Sequence, residues 1–306
     1  MSAPEPEALR LTVPTAADGA RLDRFLATPL GSRARAQAAI EAGAVLVDGY
    51  PRAKRHELRP GQVIEVRHAA APEPDVRGGE TVSFRIAYED AHLLVVDKPA
   101  GVVVHPARGH RTGTLAQALA GRAAGGEDPV RAGIVHRLDR DTSGLLVVAR
   151  DEAVHRRLKA QLAARELHRE YVALVDGIPG ARTGTIEAPI GRDAQDRTMM
   201  AVGGAGSRDA RTHFEIIELL GGEALLCVVL DTGRTHQIRV HMAAIGHPLV
   251  GDSTYGGPAR YGLAHQFLHA GRLAFRHPMT GDQLDLRSPL PEDLAAALAS
   301  AQAARG

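Results

Sequence analysis

The chain holds 306 residues, 44% of them apolar, with 37 Lys+Arg against 36 Asp+Glu. That is enough for one large domain or for two of roughly 100–200 residues, in an ordinary soluble globular composition. A single cysteine, Cys227, excludes a disulfide framework and a cysteine-based zinc site; with no apolar run of about 18 residues and no signal-peptide core, a cytoplasmic protein without membrane contact is expected.

The first 17 residues, rich in Pro and Ala, are expected to form a flexible tail. In "RLDRFLATPL", Leu22, Phe25 and Leu26 stand at helical spacing. Ser32 then suits the N-cap of a second helix, "RARAQAAIEAG", closed by Gly43. "AVLVDGY" reads as a strand with an Asp48-Gly49 turn, and "QVIEVR" as another. Residues 18–67 hold nine Lys/Arg against six Asp/Glu, and residues 131–172 again hold nine against six. Both windows fit polyanion-binding surfaces, and both also fit solvated faces.

The stretch "HAAAPEPDVRGGE" has the chemistry of a linker, so the expected division is a basic module at 18–68, a linker at 69–80 and a larger domain at 81–306. In the larger domain "VSFRIAYED", "HLLVVDKP", "GLLVVAR", "EYVALVDG", "THFEIIELL" and "ALLCVVLDTG" read as strands. "DEAVHRRLKAQLAARE" and "THQIRVHMAAIG" read as helices, the second capped by Thr235 with Ile238, Met242 and Ile245 on its buried side. Strands that follow one another without a regular intervening helix predict an α+β domain with a mixed, largely antiparallel sheet. Cys227 reads as a small core residue, and "GGAGS" at 203–207 as a flexible hairpin loop.

Three clusters carry chemistry. In "HRLDRDTSG", Asp139 stands between Arg137 and Arg140 at the entrance to a strand that is apolar on both faces. An ionised carboxylate there suits nucleophilic or general-base work, and the spacing equally admits a structural Asp–Arg pair. In "DTGRTHQIRVHMAAIGHPLVGDSTYGG", Arg239 follows Ile238 and can reach a neighbouring site. His236 and His241 are five apart and do not share a helix face as a zinc pair would. "HLLVVDKPAGVVVHP" reads as a strand, a Lys98-Pro99 turn and a second short strand ending at His105-Pro106. Tyr171, in "REYVALV", suits either stacking on a flat substrate or a core position with a wet tip.

"HRLDRDTSG", "DKPAGVVVHP", "REYVALVDG", "TGRTHQIRVHMAAIGHPLVGDSTYGG" and "LHAGRLAFRHPMTG" together resemble the signature segments of the RluA-type pseudouridine synthases, in that family's order. The basic module resembles the small α/β S4 RNA-binding domain that many of them carry. The likeness runs from about residue 18 to about residue 290, and "PRAGIVHRLDRDTSG" is spelled nearly as in the branch acting on large-subunit rRNA. The segment between Pro258 and Phe267 looks shorter than in that branch.

The resemblance implies a pseudouridine synthase fold and isomerisation of uridine to pseudouridine in RNA, with neither metal nor organic cofactor. Its implied partner is large-subunit rRNA or a pre-ribosomal particle, met by a monomer. Asp139 would be the catalytic carboxylate, attacking C1′ of the ribose or C6 of the uracil. Arg239 would pair with Asp139, and Tyr171 would stack on the base. Arg137 would fill the place left by the flipped base, with His136 and Ile238 also on the substrate side. Arg21, Arg33, Arg35 and Lys54 would meet RNA phosphates. The rivals are an inert S4-type RNA binder, a synthase acting on tRNA or another rRNA, and a glycosidase, whose mechanism needs a second carboxylate such as Asp141.

Overall fold

The computed structural model describes residues 9–30, 33–67, 82–106, 112–126, 131, 133–196 and 198–304. The described residues divide into two compact units, one at 9–67 and one from 82 onward. The expected linker at 69–80 and Ser32 lie outside the described residues.

The first unit contains β1 (Leu9–Thr12), α1 (Leu22–Phe25), α2 (Arg33–Glu41), β2 (Val45–Val47), β3 (Tyr50–Pro51) and β4 (Val63–Val66). Its four-stranded sheet has the order β1-β4-β2-β3. Leu22 and Leu26, one helical turn apart, pack with Ala36 on Val45, Val47 and Ile64. Asp48 and Gly49 both have positive φ, 52° and 81°, which matches a two-residue hairpin to the twist of its strands. The Asp48 carboxylate also accepts the Val63 N–H at 2.8 Å, tying the turn to the neighbouring strand. The expected flexible tail is corrected from residue 9 onward. Leu9–Thr12 pairs antiparallel with β4, and Val13 is buried, because the edge of β4 is open to a strand of alternating polarity. Residues 1–8 lie outside the described residues.

The second unit opens with β5 (Arg85–Glu89), β6 (Leu93–Lys98), α3 (Leu115–Ala118), β7 (Ser143–Ala149), α4 (Glu152–Ala163) and β8 (His168–Asp176). It continues with β9 (Thr183–Glu187), β10 (Ile190–Arg192), β11 (Met200–Val202), β12 (Ala205–Arg208), β13 (Arg211–Leu220) and β14 (Glu223–Leu230). Then come α5 (Gln237–Ala244), β15 (Leu268–Arg276), β16 (Gln283–Arg287) and α6 (Glu292–Ala303). A nine-stranded sheet runs β5-β6-β7-β15-β8-β14-β13-β9, with β16 on β15; a three-stranded one runs β11-β10-β12. Neighbours in the large sheet pair antiparallel except β7 and β15, which run parallel at His269↔Ser143 and Ala270↔Gly144. The domain is therefore α+β with a mixed, largely antiparallel sheet.

Side chains alternate between the two faces of a strand, and both faces of β7 are covered. Leu145 and Val147 meet Val154 and Leu158 of α4 on one side. Leu146 and Val148 share the other side with Tyr171, Val228, and Ile238 and Met242 of α5. Fully burying a Val or Leu side chain contributes about 1.5–3 kcal/mol, so α4 and α5 are each held mainly by such contacts. The Asp151 carboxylate caps α4 by accepting the Val154 N–H at 2.8 Å.

Several expectations are corrected in detail. Thr235 caps nothing: α5 starts at Gln237, and His236, in the left-handed region at φ 55°, is its N-cap residue. Ile245, past the last turn, is 39% exposed, because α5 ends before the third apolar position comes round. Val103 makes one isolated bridge to Thr114 instead of opening a second strand. Cys227 is half-buried on β14, and burial pushes its thiol up to about 11. Residues 203–207 do not form a hairpin loop: β12 begins at Ala205, and β11 and β12 pair with the two edges of β10.

Gly144 sits where the parallel pair closes, with φ +112° and room for no more than a hydrogen, since a Cβ there would lie 2.3 Å from the Ala270 carbonyl oxygen. Gly144→Ala is expected to destabilise the second unit by about 3 kcal/mol or more. Thermal unfolding should show a Tm lowered by about 6 °C or more; an unchanged Tm would mean that the β7–β15 junction has slack.

Candidate active site

The tight turn that feeds β7 is held from several sides. The Asp139 carbonyl accepts the Thr142 N–H at 3.2 Å. The Thr142 hydroxyl accepts from Gln266 Nε2 at 3.2 Å, and Ser143 Oγ lies 2.9 Å from His269 Nδ1. Lys98, at the end of β6 and only 1% exposed, donates to the carbonyls of Pro99, Val102 and Arg140 at 2.8, 2.9 and 2.8 Å. Burial draws its ammonium down to about 7, while the charges of Asp139 and Asp141 pull it back up. Three converging carbonyls match the three protons of the charged form. Lys98 thereby fastens the 99–102 turn to the loop that carries Asp139.

A cleft opens between that loop, the sheet and the approach to α5. Asp139, Arg137, Tyr171, His236 and Ile238 all line it, together with Arg169 and Arg234. Tyr171 is only 5% exposed, on the face of β8 turned toward α5, and burial raises its phenol. Ile238, 3% exposed, supplies an apolar wall.

Arg239 is the charge behind the cleft. Its Nε and Nη2 donate to Oδ2 and Oδ1 of Asp252 at 2.7 and 2.8 Å, a bidentate pair. Its Nη1 lies 3.6 Å from Asp139 Oδ2. Burial works against the guanidinium's charge, but the bonds and charge of Asp252, with Asp139 beyond, hold it above the ordinary arginine range. The Tyr255 ring lies beneath, 5.0 Å from the guanidinium carbon. Asp252, 1% exposed, thus takes the hydrogen bonds. The Asp139 carboxylate, 16% exposed, keeps an ion-pair contact and no hydrogen bond among the described residues.

Asp139, Tyr171, Arg239, Arg137 and Ile238 are brought together; His136 is not. Its Nε2 accepts the Val147 N–H at 3.3 Å, so the ring is spent on a strand. Burial, with Arg169 and Lys159 nearby, pushes it down to about 3, a neutral imidazole off the cleft wall. Arg137 donates from Nη1 to His105 Nε2 at 3.1 Å. Sequence reasoning gives Asp252, Tyr255 and His236 no part in the cleft. The first two stand in a loop with no periodicity, and the spacing of His236 and His241 speaks only against a zinc pair.

In the first unit, Arg21 is bound to Asp23 at 3.0 and 2.9 Å, and Lys54 to Glu41 at 2.6 Å. Arg33 and Arg35 open α2, and their side chains lie outside the described residues. Arg24, Arg55 and Arg59 are exposed. No helix among the described residues is long and apolar enough to cross a membrane.

A family model described as RNA pseudouridylate synthase matches residues 92–244, and one described as the S4 domain matches residues 20–64. An RNA pseudouridine synthase of Chloroflexus aurantiacus is 48% identical over 298 residues, covering 95% of this chain and 92% of that one. The ribosomal large subunit pseudouridine synthase D of Nitrosomonas europaea is 43% identical over 300 residues, covering 95% of this chain and 87% of that one. Among solved structures, human RNA pseudouridylate synthase domain containing 1 superposes with a TM-score of 0.54 at 28% identity, over 70% of this chain and 86% of that one. With this fold and these matches, the chain belongs to the RNA pseudouridine synthase family and is an RNA pseudouridine synthase with an N-terminal S4 domain.

Proposed function

We propose that the protein isomerises uridines of large-subunit ribosomal RNA, with Asp139 as nucleophile on a base flipped into the cleft. The observation that carries this reading is the Asp139 carboxylate in the cleft, 3.6 Å from the Arg239 guanidinium and beside Tyr171. Three relatives named ribosomal large subunit pseudouridine synthase D, 42–43% identical over at least 92% of this chain, support the choice of RNA.

The reaction breaks the N1–C1′ bond, turns the freed ring and joins C5 to C1′, with loss of the C5 proton. A carboxylate attacking C1′ or C6 opens that sequence, and one that gives no lone pair to a hydrogen bond is available for the attack. Flipping costs a few kcal/mol, and stacking on an aromatic ring returns about 1–3 kcal/mol, the part assigned to Tyr171. Arg137, on the rim of the cleft, fills the gap in the RNA stack. The exposed Arg24, Arg55 and Arg59 join Arg21, Arg33, Arg35 and Lys54 as phosphate contacts of the S4 domain.

The first experiment is tritium release from C5-labelled large-subunit rRNA lacking the modification. Wild type should release label, and Asp139→Asn should turn over about 1,000-fold more slowly or less, with RNA affinity nearly intact; activity close to wild type in that variant would remove Asp139 from its role. Asp252→Asn keeps the shape but removes the charge that anchors Arg239, so kcat should fall about 10- to 100-fold with little change in KM. A fall in affinity alone would instead make Arg239 a binding group. Finally, RNA affinity plotted against salt on logarithmic axes should have a slope of about −2 or steeper, as for three or more phosphates on a single strand. A flat plot would contradict a phosphate-dominated footprint.

A further inference from the structure

His236 is unused by the reading above, yet it lines the cleft with Asp139 and Tyr171. It is also one of four non-glycine residues at positive φ among the described residues. Such a backbone costs about 1–3 kcal/mol and persists only where the surroundings over-determine it. Here the determinant is Tyr255. The two rings meet edge to face at 78°, and the Tyr255 hydroxyl lies 2.9 Å from His236 Nδ1. Tyr255 is itself fixed, packed among Ile190, Met200, Ala210 and Val240 and beneath the Arg239 guanidinium.

The direction of the proton follows from the third partner. The Met200 backbone N–H donates to the Tyr255 oxygen at 3.1 Å. The phenol's one hydrogen has a single acceptor in reach among the described residues, His236 Nδ1, so it is donated there. Nδ1 is therefore the acceptor, and the proton of the neutral ring stands on Nε2. Burial, and the positive charges of Arg239 and Arg137 against those of Asp139 and Asp252, leave the imidazole below its ordinary range, which favours the neutral form. Nε2 has no partner among the described residues. A built chain from a backbone N–H through a phenol thus ends in one oriented donor on the cleft wall.

A flipped uracil brings two carbonyl oxygens, O2 and O4, that need donors once water is excluded. We propose that His236 reads the target base, its Nε2–H donating to a uracil carbonyl oxygen, with Tyr255 as the positioning residue that fixes the tautomer. This rests on the reading of the cleft as the uridine site. Facing O4, a group that only donates opposes the amino group that cytosine carries at C4; facing O2, which both bases carry, it orients the ring.

The test is a coupling cycle. RNA that wild type converts is prepared with the target uridine unaltered, as 2-thiouridine or as 4-thiouridine, sulfur being the weaker acceptor. His236→Asn is the variant of choice, because Asn tolerates the left-handed backbone. Its side-chain oxygen can still accept from Tyr255, and nothing replaces Nε2–H. Wild type should lose about tenfold in kcat/KM on one of the two thio substrates, the worth of about one hydrogen bond. His236→Asn should lose about tenfold on uridine and nothing further on that same thio substrate. Equal thio effects in both enzymes on both substrates would overturn the proposal, whatever the variant's activity. No turnover by wild type on large-subunit rRNA would be a different failure, that of the proposed RNA target, and the cycle would then be run on whichever RNA it converts.

Discussion

A guanidinium buried between two carboxylates organises the cleft: Arg239 of α5 holds Asp252 by two hydrogen bonds and faces Asp139 at 3.6 Å. Desolvating an arginine costs several kcal/mol, and such a group is stable only when its donors are satisfied. Asp252 takes two of the five in a bidentate pair, and Asp139 faces a third nitrogen, Nη1. The division of labour leaves Asp139 beside a positive charge without surrendering its oxygens to hydrogen bonds. A single carboxylate asked to anchor the arginine and to attack the substrate would do one at the expense of the other.

Around that pair the fold is arranged to make the positions stiff. The Asp139 loop is fastened by Lys98 from the end of β6, by Gln266 just before β15 and by His269 at the start of that strand. Tyr171 stands on a strand inside the sheet, between β15 and β14, so its ring has packed neighbours along both edges. The groups that must move in the proposed reaction belong to the RNA and to Arg137, which stands at the rim on one bond to His105. Rigidity at the carboxylate and freedom at the rim are different demands, and they fall on two residues of one loop with only Leu138 between them.

Much of the frame was legible in the sequence because it rests on periodicity. The run Leu145–Ala149 is apolar at every position, and β7 is indeed covered on both faces. Gly43 ends α2 at φ 72°, and Asp48-Gly49 makes the expected turn. Asp139 was legible through its motif, as a carboxylate entering that strand. What could not be read were contacts that periodicity does not encode. Asp252 meets Arg239 from a loop, and Lys98 looked like part of a turn because its three acceptors are carbonyls, which every residue has. His136 was misplaced for a similar reason: in the motif it adjoins Arg137, but successive residues of an extended chain point to opposite sides, and its side faces Val147. The strand status of Leu9–Thr12 was hidden by a composition that resembles a tail.

The parallel contact between β7 and β15 bears on how the protein is made. It joins Ser143 to His269 across 126 residues. A ribosome synthesises roughly 5–20 residues per second, so β7 and the Asp139 loop wait on the order of ten seconds before β15 exists. During that interval the Ser143–Gly144 end of β7 lacks its partner strand, and long-range closure of this kind is slow in its own right. The S4 unit, whose sheet is complete by Val66, has no such delay. A nascent chain therefore acquires its RNA-binding module well before it can hold Asp139 in place. It also depends longest on protection of β7 from other strands.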